Sequence, residues 1–563
     1  MGIGELGTGR GDVFNLGALR STYDQMLDQW QRSENTARVW DRDPGVWTNN
    51  GEDAWLGWLD AVDTHKAFVP SIREHSAELR ADGITDILLL GMGGSSLCPE
   101  VVAETFGDLA GYPKLRVLDS TVPDQVRRFR EQIDISKTVV SVASKSGSTV
   151  EPNVLLDYFS QELAKAGVDV GRHIIAVTDP GSSLEARAEQ GAYRSVLKGV
   201  PEIGGRFSAL SNFGLLPAGL AGVDLDRYLG RAAGLVEACR SDDDNPGVRL
   251  GAALGAAQSV GRDKLTLIVS PQLWDIGAWI EQLVAESTGK AGVGICPVDR
   301  EPALDVDRYG NDRMFVQIRL EGGENGVQDQ RAQMLADAGH PVITVSLSDV
   351  YDLGAEFFRW EFATAVVGSL MGINPFDQPN VQESKDITAE LLDAYEQDGA
   401  LPEPEAIGRL DDVVVTSSRG GASPKGAIAE ILSSAGKGDY VNISAYCDRT
   451  GLAQATFDRI RERVAATGVA TTLGYGPRFL HSTGQLHKGG PNSGVFIQVT
   501  TAADNDVAIP GKTATFGTLS RAQALGDYRA LVEKDRRVVR LDLAEGLESG
   551  LPTLEEAILS AVN

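Results

Sequence analysis

The chain is patterned as short apolar runs set between longer mixed stretches. The runs at 87–90, 115–118, 139–143 and 173–178 are built mainly of Leu, Ile, Val and Ala, and each gives way to Gly, Asp or Ser. Apolar runs without polar alternation predict strands covered on both faces, as in a parallel sheet. Runs at 265–270, 314–320 and 341–347 predict a second set, with a helix over 274–285 between its first two strands. Strands at 412–417, 440–446 and 495–500 and helices at 424–434, 452–466 and 521–535 follow. Ahead of all these, Leu16, Leu19, Tyr23, Met26 and Trp30 recur three and four apart, the apolar face of an amphipathic helix. The prediction is an α/β protein in four parts: an N-terminal helical cap over 1–82, α/β domains over 83–245 and 246–395, and a C-terminal α/β region over 396–563. The Gly399, Pro402 and Pro404 stretch reads as the linker into the last part.

A length of 563 residues suits two to four domains. The balance of 52 basic against 79 acidic residues gives a net charge of −27, which repels nucleic acid and anionic membranes. Neither is expected as a partner, and an anionic ligand must be drawn by a local pocket. Cys98, Cys239, Cys296 and Cys447 lie far apart without a CxxC pair, which argues against structural zinc and disulfides and for buried thiols in a cytoplasmic protein. The start, Met1-Gly2-Ile3-Gly4-Glu5, has no basic or apolar leader pattern, and Leu6 stands where a myristoylation signal needs Ser or Thr. No apolar run is long enough to span a membrane. Trp30, Trp40, Trp47, Trp55 and Trp58 fall in the cap and read as packing against a larger body rather than as a cofactor box.

Two strands end in glycines and hydroxyls: Gly91-Met92-Gly93-Gly94-Ser95-Ser96 after the first, and Ser144-Lys145-Ser146-Gly147-Ser148-Thr149 after the third. Bare backbone N–H groups and hydroxyls at a strand-to-helix turn are suited to a phosphate, so a small phosphorylated ligand is expected. Gly204-Gly205-Arg206 sets one arginine in an otherwise apolar stretch, either a solvated charge or a cation kept to stabilise a developing negative charge. Glu286-Ser287-Thr288-Gly289-Lys290 closes an apolar helix with a carboxylate, either a surface helix end or a base in a cleft. Phe376-Asp377-Gln378 leads towards Lys385, and His481 and His487, two of six histidines, share one late loop.

In their order and spacing these motifs resemble those of the glucose-6-phosphate isomerase family over about residues 85 to 390. Gly91-Met92-Gly93-Gly94-Ser95 is similar to the family's first glycine turn, and the 144–149 stretch to its Ser/Thr phosphate loop. Gly204-Gly205-Arg206 with Ser208 resembles its Gly-Gly-Arg signature, and 286–290 its Glu-Ser-Asn-Gly-Lys. Gln282 and Gln378 stand where the family has them. The resemblance implies two tandem sugar-isomerase (SIS) type doubly wound parallel-sheet domains and exchange of glucose 6-phosphate with fructose 6-phosphate, a step of glycolysis and gluconeogenesis. It further implies that Gly94, Ser95, Ser144, Lys145, Ser146, Thr149, Gln282 and Gln378 bind the substrate and its phosphate. Glu286 would move a proton between C2 and C1 through a cis-enediolate, and Arg206 would stabilise that charge. Lys385 and a histidine would assist ring opening. No metal or other cofactor is implied.

The histidine departs from the family's pattern, whose ring-opening imidazole falls between the glutamate and the lysine. Here His340 alone lies in that interval, in a turn before a strand. The family's Asn-Gly-Gln-His loop has its nearest likeness in Gly484-Gln485-Leu486-His487, so His487 is expected first and His481 second. That loop resembles the isomerase portion of fused transaldolase–isomerase proteins, which implies the isomerase half standing alone and a possible transaldolase partner. A homodimer is implied by the family. Isomerisation of mannose 6-phosphate shares the same phosphate and base requirements. A non-catalytic sugar-phosphate regulator would have no need of Glu286 and Arg206 together, and no barrel-like series of strand–helix units leads to a transaldolase lysine.

Overall fold

A computed structural model describes residues 11–502 and 505–562. The leader and myristoylation readings at Met1 to Leu6 lie outside these residues. The chain forms two compact units. The first takes in residues up to Asp119, Ile133–Thr288 and Met314–Asp377; the second takes in Ser120–Gln132, Gly289–Arg313 and Gln378 onward.

In the first unit one sheet is parallel throughout, in the order Lys114–Leu118, Asp86–Leu90, Thr138–Ala143, Ile174–Thr178, Ser195–Lys198. Asp86–Leu90 and Thr138–Ala143 are buried at every position, as continuous apolar runs require. From Asp86–Leu90 the chain first builds Lys114–Leu118 on one side, then returns to build Thr138–Ala143 on the other. The order reverses between those two neighbours, so the turns leaving their carboxyl ends flank the crevice where open α/β sheets hold ligands. Those turns are the two glycine-and-hydroxyl loops.

A second sheet in this unit runs Val13–Asn15, Val342–Leu347, Arg313–Leu320, Lys264–Val269; its first pairing is antiparallel and its second parallel. The helix Leu353–Leu370 is buried at all but its last two positions. The N-terminal tryptophans pack into this unit: Trp58 is fully buried, its ring 5.5 Å from that of Phe207 and 5.6 Å from that of Phe358. Trp40 donates to the Cys239 carbonyl at 2.9 Å and Trp47 to the Ala365 carbonyl at 2.8 Å.

The second unit has one sheet, in the order Gly408–Leu410, Val413–Ser417, Arg537–Leu543, Gly494–Thr501, Tyr440–Tyr446, Ala470–Tyr475. The first two pairings are antiparallel and the rest parallel. Helices Pro424–Ser433, Gly451–Ala465 and Leu547–Ala561 contribute Ile428, Phe457 and Leu554 to the core on one face. Helix Phe516–Glu533 packs with Pro379–Asp398 through Ala522, Leu525, Ile387 and Leu391. Ala470–Tyr475 and Arg537–Leu543 are strands that the apolar pattern did not predict. The first is rich in Thr and Gly, and the second alternates Arg540 and Asp542 with Val and Leu.

Candidate active site

After Asp86–Leu90 the chain turns through Gly93–Ser95, with Gly93 at φ +56°. A side chain at Gly94 would put its Cβ 1.8 Å from the Gly205 carbonyl oxygen, so the first glycine turn and the Gly-Gly-Arg stretch meet backbone to backbone. The helix Ile276–Thr288 touches both. Three motifs far apart in sequence therefore converge.

Arg206 is the hub of this convergence. It is buried, and its Nε donates to Ser287 Oγ at 2.7 Å. Nη2 donates to the carbonyls of Pro375 at 2.7 Å and Asp377 at 3.0 Å, and Nη1 lies 3.3 Å from Glu286 Oε1. Burial pulls its pKa down from the usual arginine range, against the opposing pull of the Glu286 and Asp377 carboxylates. The guanidinium is thus fixed on three sides with one edge turned to a carboxylate. Glu286 is 6% exposed, and its Oε2 accepts from Gln282 Nε2 at 3.1 Å. Gln282 and Glu286 are one turn apart on the same helix face, which makes this contact automatic. The alternative surface readings of Arg206 and Glu286 do not hold, because both side chains are enclosed. Ser287 and the carbonyls of Pro375 and Asp377 are members of this site that sequence reasoning missed; for Asp377 the shared Phe-Asp-Gln was the available signal.

The serine loop leaves the neighbouring strand, with Gly147 at φ +71°. Ser144 is buried and donates to Thr149 Oγ1 at 3.3 Å; Ser146 and Ser148 share a 2.9 Å contact at the surface. Thr149 precedes helix Val150–Lys165, so its hydroxyl and the loop gather at a helix N-terminus. Ser95, at the end of the other turn, is buried. Lys145 points elsewhere: its ammonium is ion-paired with Asp179 and donates to the Pro201 carbonyl at 2.9 Å. Burial raises the Asp179 pKa, with Lys145 opposing it.

A family model for phosphoglucose isomerase matches residues 48–295. A glucose-6-phosphate isomerase from Synechococcus sp. is 30% identical over 404 residues, covering 62% of this chain and 76% of the relative. Another from Rubrobacter xylanophilus is 32% identical over 375 residues, covering 57% and 87%. This chain belongs to the phosphoglucose isomerase family. Two solved structures share the fold. A hypothetical protein from Thermus thermophilus is 27% identical with a TM-score of 0.58, covering 68% of this chain and all of that one. A glucose-6-phosphate isomerase from Chlamydia trachomatis is 19% identical with a TM-score of 0.53, covering 68% and 86%. Membership of the phosphoglucose isomerase family makes the chain an isomerase, of mixed α/β architecture with parallel sheets.

The other expected residues of this phosphoglucose isomerase relative lie in the second unit. Gln378 is exposed at the head of helix Pro379–Asp398, and Lys385 is exposed in its second turn. Gln485 ties the late histidine loop to that helix: its Oε1 accepts from Asn380 N at 2.9 Å, and its Nε2 donates to Asn380 Oδ1 and to the Gly289 carbonyl, both at 2.9 Å. His487 is enclosed by aromatic rings, 5.0 Å from Phe496, 5.9 Å from Phe479 and 6.3 Å from Tyr440. Burial, then the charges of Lys488 and Arg536, drives its pKa well below the usual histidine value. His481 closes the short turn Arg478–His481 and is half-buried. Among the described residues no cluster of His, Cys, Asp and Glu could hold a metal, and no helix is long and apolar enough to cross a membrane.

Proposed function

We propose that this chain interconverts glucose 6-phosphate and fructose 6-phosphate; its curated relatives are named glucose-6-phosphate isomerase. The observation that carries the reading is the enclosed pair of Glu286 and Arg206, a carboxylate set against an immobilised cation. In this reading Ser95, Ser144, Ser146 and Thr149 receive the phosphate with the backbone of the two loops. Glu286 takes the C2 proton of the open-chain aldose and delivers it to C1. The charge that builds on the enediolate oxygens meets Arg206, which requires no reorganisation because its guanidinium is already held. Gln282 steadies the Glu286 carboxylate. Lys145 serves the loop indirectly, by bracing it against Asp179 and the Pro201 carbonyl.

Ring opening falls to Lys385 and a histidine of the 478–490 loop. A proton donor must gain charge in its cycle, and the apolar cage around His487 opposes that. Half-buried His481 is the better candidate, with His487 shaping the loop from within.

The test is Glu286→Gln, which keeps the Gln282 and Arg206 neighbours but removes the base. Exchange of the two sugar phosphates is expected to fall by about 10²–10⁴-fold or more, with affinity for a non-reacting sugar phosphate within about threefold. Near-normal turnover would end the assignment. His481→Ala is expected to slow reaction of the cyclic substrate far more than of the open-chain form, and His487→Ala to do so only through lost stability.

A further inference from the structure

We propose that the second unit binds a small, uncharged polyhydroxylated molecule, of monosaccharide or sugar-alcohol size, in a cavity of its own. The cavity measures about 310 Å³, at the lower end of the roughly 300–1,000 Å³ typical of small-molecule sites. Its position follows from the topology of the sheet. From Tyr440–Tyr446 the chain builds Ala470–Tyr475 on one side, then crosses back to build Gly494–Thr501 on the other. The strand order therefore reverses between Tyr440–Tyr446 and Gly494–Thr501, and the cavity opens at their carboxyl ends, lined by Tyr446, Thr500 and Thr501. Open α/β sheets place their ligands at such a reversal.

The lining decides the class of ligand. Arg521 is the one basic side chain on the wall, against Asp124, Glu403 and Asp506. Its guanidinium is already taken up: it pairs with Glu403 and reaches Asp542 at 3.0 and 3.3 Å. The head of helix Phe516–Glu533 offers an anion nothing either, since Asp506 accepts from Gly517 N at 2.8 Å and Thr515 Oγ1 from Thr518 N at 3.1 Å. A phosphorylated molecule would meet carboxylates without free donors. A cation is little favoured, because Asp124 lies 2.5 Å from Arg127 and Glu403 is shared by Arg521 and Arg540. What is left is hydroxyl chemistry. The hydroxyls of Ser520 and Tyr395 have no hydrogen-bond partner among the described residues, and both residues line the cavity. Paired carboxylates keep lone pairs for hydroxyl donors, while Leu401, Val122 and the Tyr446 ring provide apolar wall for C–H faces.

Hydrogen exchange on the full chain tests this, with D-glucose, D-sorbitol and myo-inositol as probes and inorganic phosphate as the anionic comparison. At least one of the three probes is expected to protect residues 395–403 and 516–524 saturably, and phosphate is expected not to. Ser520→Leu, which fills the cavity, should abolish that protection with isomerase turnover unchanged. Tyr395→Phe, at a half-buried position where folding is not at stake, should weaken it about tenfold, the value of one hydrogen bond. Glu286→Gln should leave it intact, which separates this proposal from the isomerase reading. Absence of saturable protection from all three probes, protection by phosphate instead, or protection undiminished in both cavity variants would overturn it.

Discussion

At the scale of single residues, the guanidinium of Arg206 reaches four neighbours at once, and its geometry makes a definite prediction. Arg206→Lys keeps a positive charge but loses the fork that reaches Ser287, Pro375, Asp377 and Glu286 together. With its position no longer fixed, kcat is expected to fall by about 10²–10³-fold with little change in KM, measured in a coupled steady-state assay. A comparable loss in KM alone would show that the residue binds substrate uniformly instead. For Glu286 and Arg206 the apolar setting alone left a surface reading open, and only the family resemblance singled them out; the structure encloses both side chains. The contacts made by the carbonyls of Pro375 and Asp377 were not readable, since a backbone oxygen leaves no mark on residue choice; the Phe376-Asp377-Gln378 motif marked only the neighbourhood. Lys145 was read as facing a phosphate, yet Asp179, at the end of the adjoining parallel strand, takes its ammonium. Pairings of that kind depend on which strands lie side by side, which spacing along the chain does not reveal.

For whole elements, the first sheet was readable because its strands are buried on both faces and must be apolar throughout. Arg537–Leu543 obeys a different rule. Arg537 reaches Asp439 at 2.9 Å and Arg540 reaches Glu403 at 2.9 Å, so charges sit inside the strand and break the apolar run. The helix Leu353–Leu370 escaped for another reason: it is buried on every side, charged Glu356, Arg359 and Glu361 included, and so shows no amphipathic period. The turn that joins the first strand to its helix has no room for change. At Gly94 the obstructing atoms are backbone, so no rotamer shift relieves an added methyl. Gly94→Ala is expected to cost about 3 kcal/mol or more and to remove activity, as read by thermal unfolding and turnover. Unaltered stability would mean that the two turns part easily.

On the scale of the whole molecule, stability should carry the signature of a buried charge cluster in the first unit. Arg359 lies 2.5 Å from Asp12 and 2.8 Å from Glu356, two acids competing for one cation. Burial, relieved in part by Arg359, raises the Glu356 pKa to about 7. Unfolded, the group ionises near 4.3, so the unfolded chain binds fewer protons between those values and stability declines as pH rises through that window. The decline amounts to up to about 4 kcal/mol, complete above pH 7. Glu356→Gln is expected to flatten it, so that the difference in unfolding temperature between pH 5.5 and pH 8 shrinks relative to the unsubstituted chain. An equal slope in both would remove Glu356 as its source. One more consequence follows from the Gln485 amide, whose two ends grip Asn380 and the Gly289 carbonyl. It acts as a rivet between the loop that carries His481 and the head of the helix that bears Lys385, so a shift of that helix head is passed to the loop. The backbone segments that present the imidazole and the ammonium are thus yoked through a single amide.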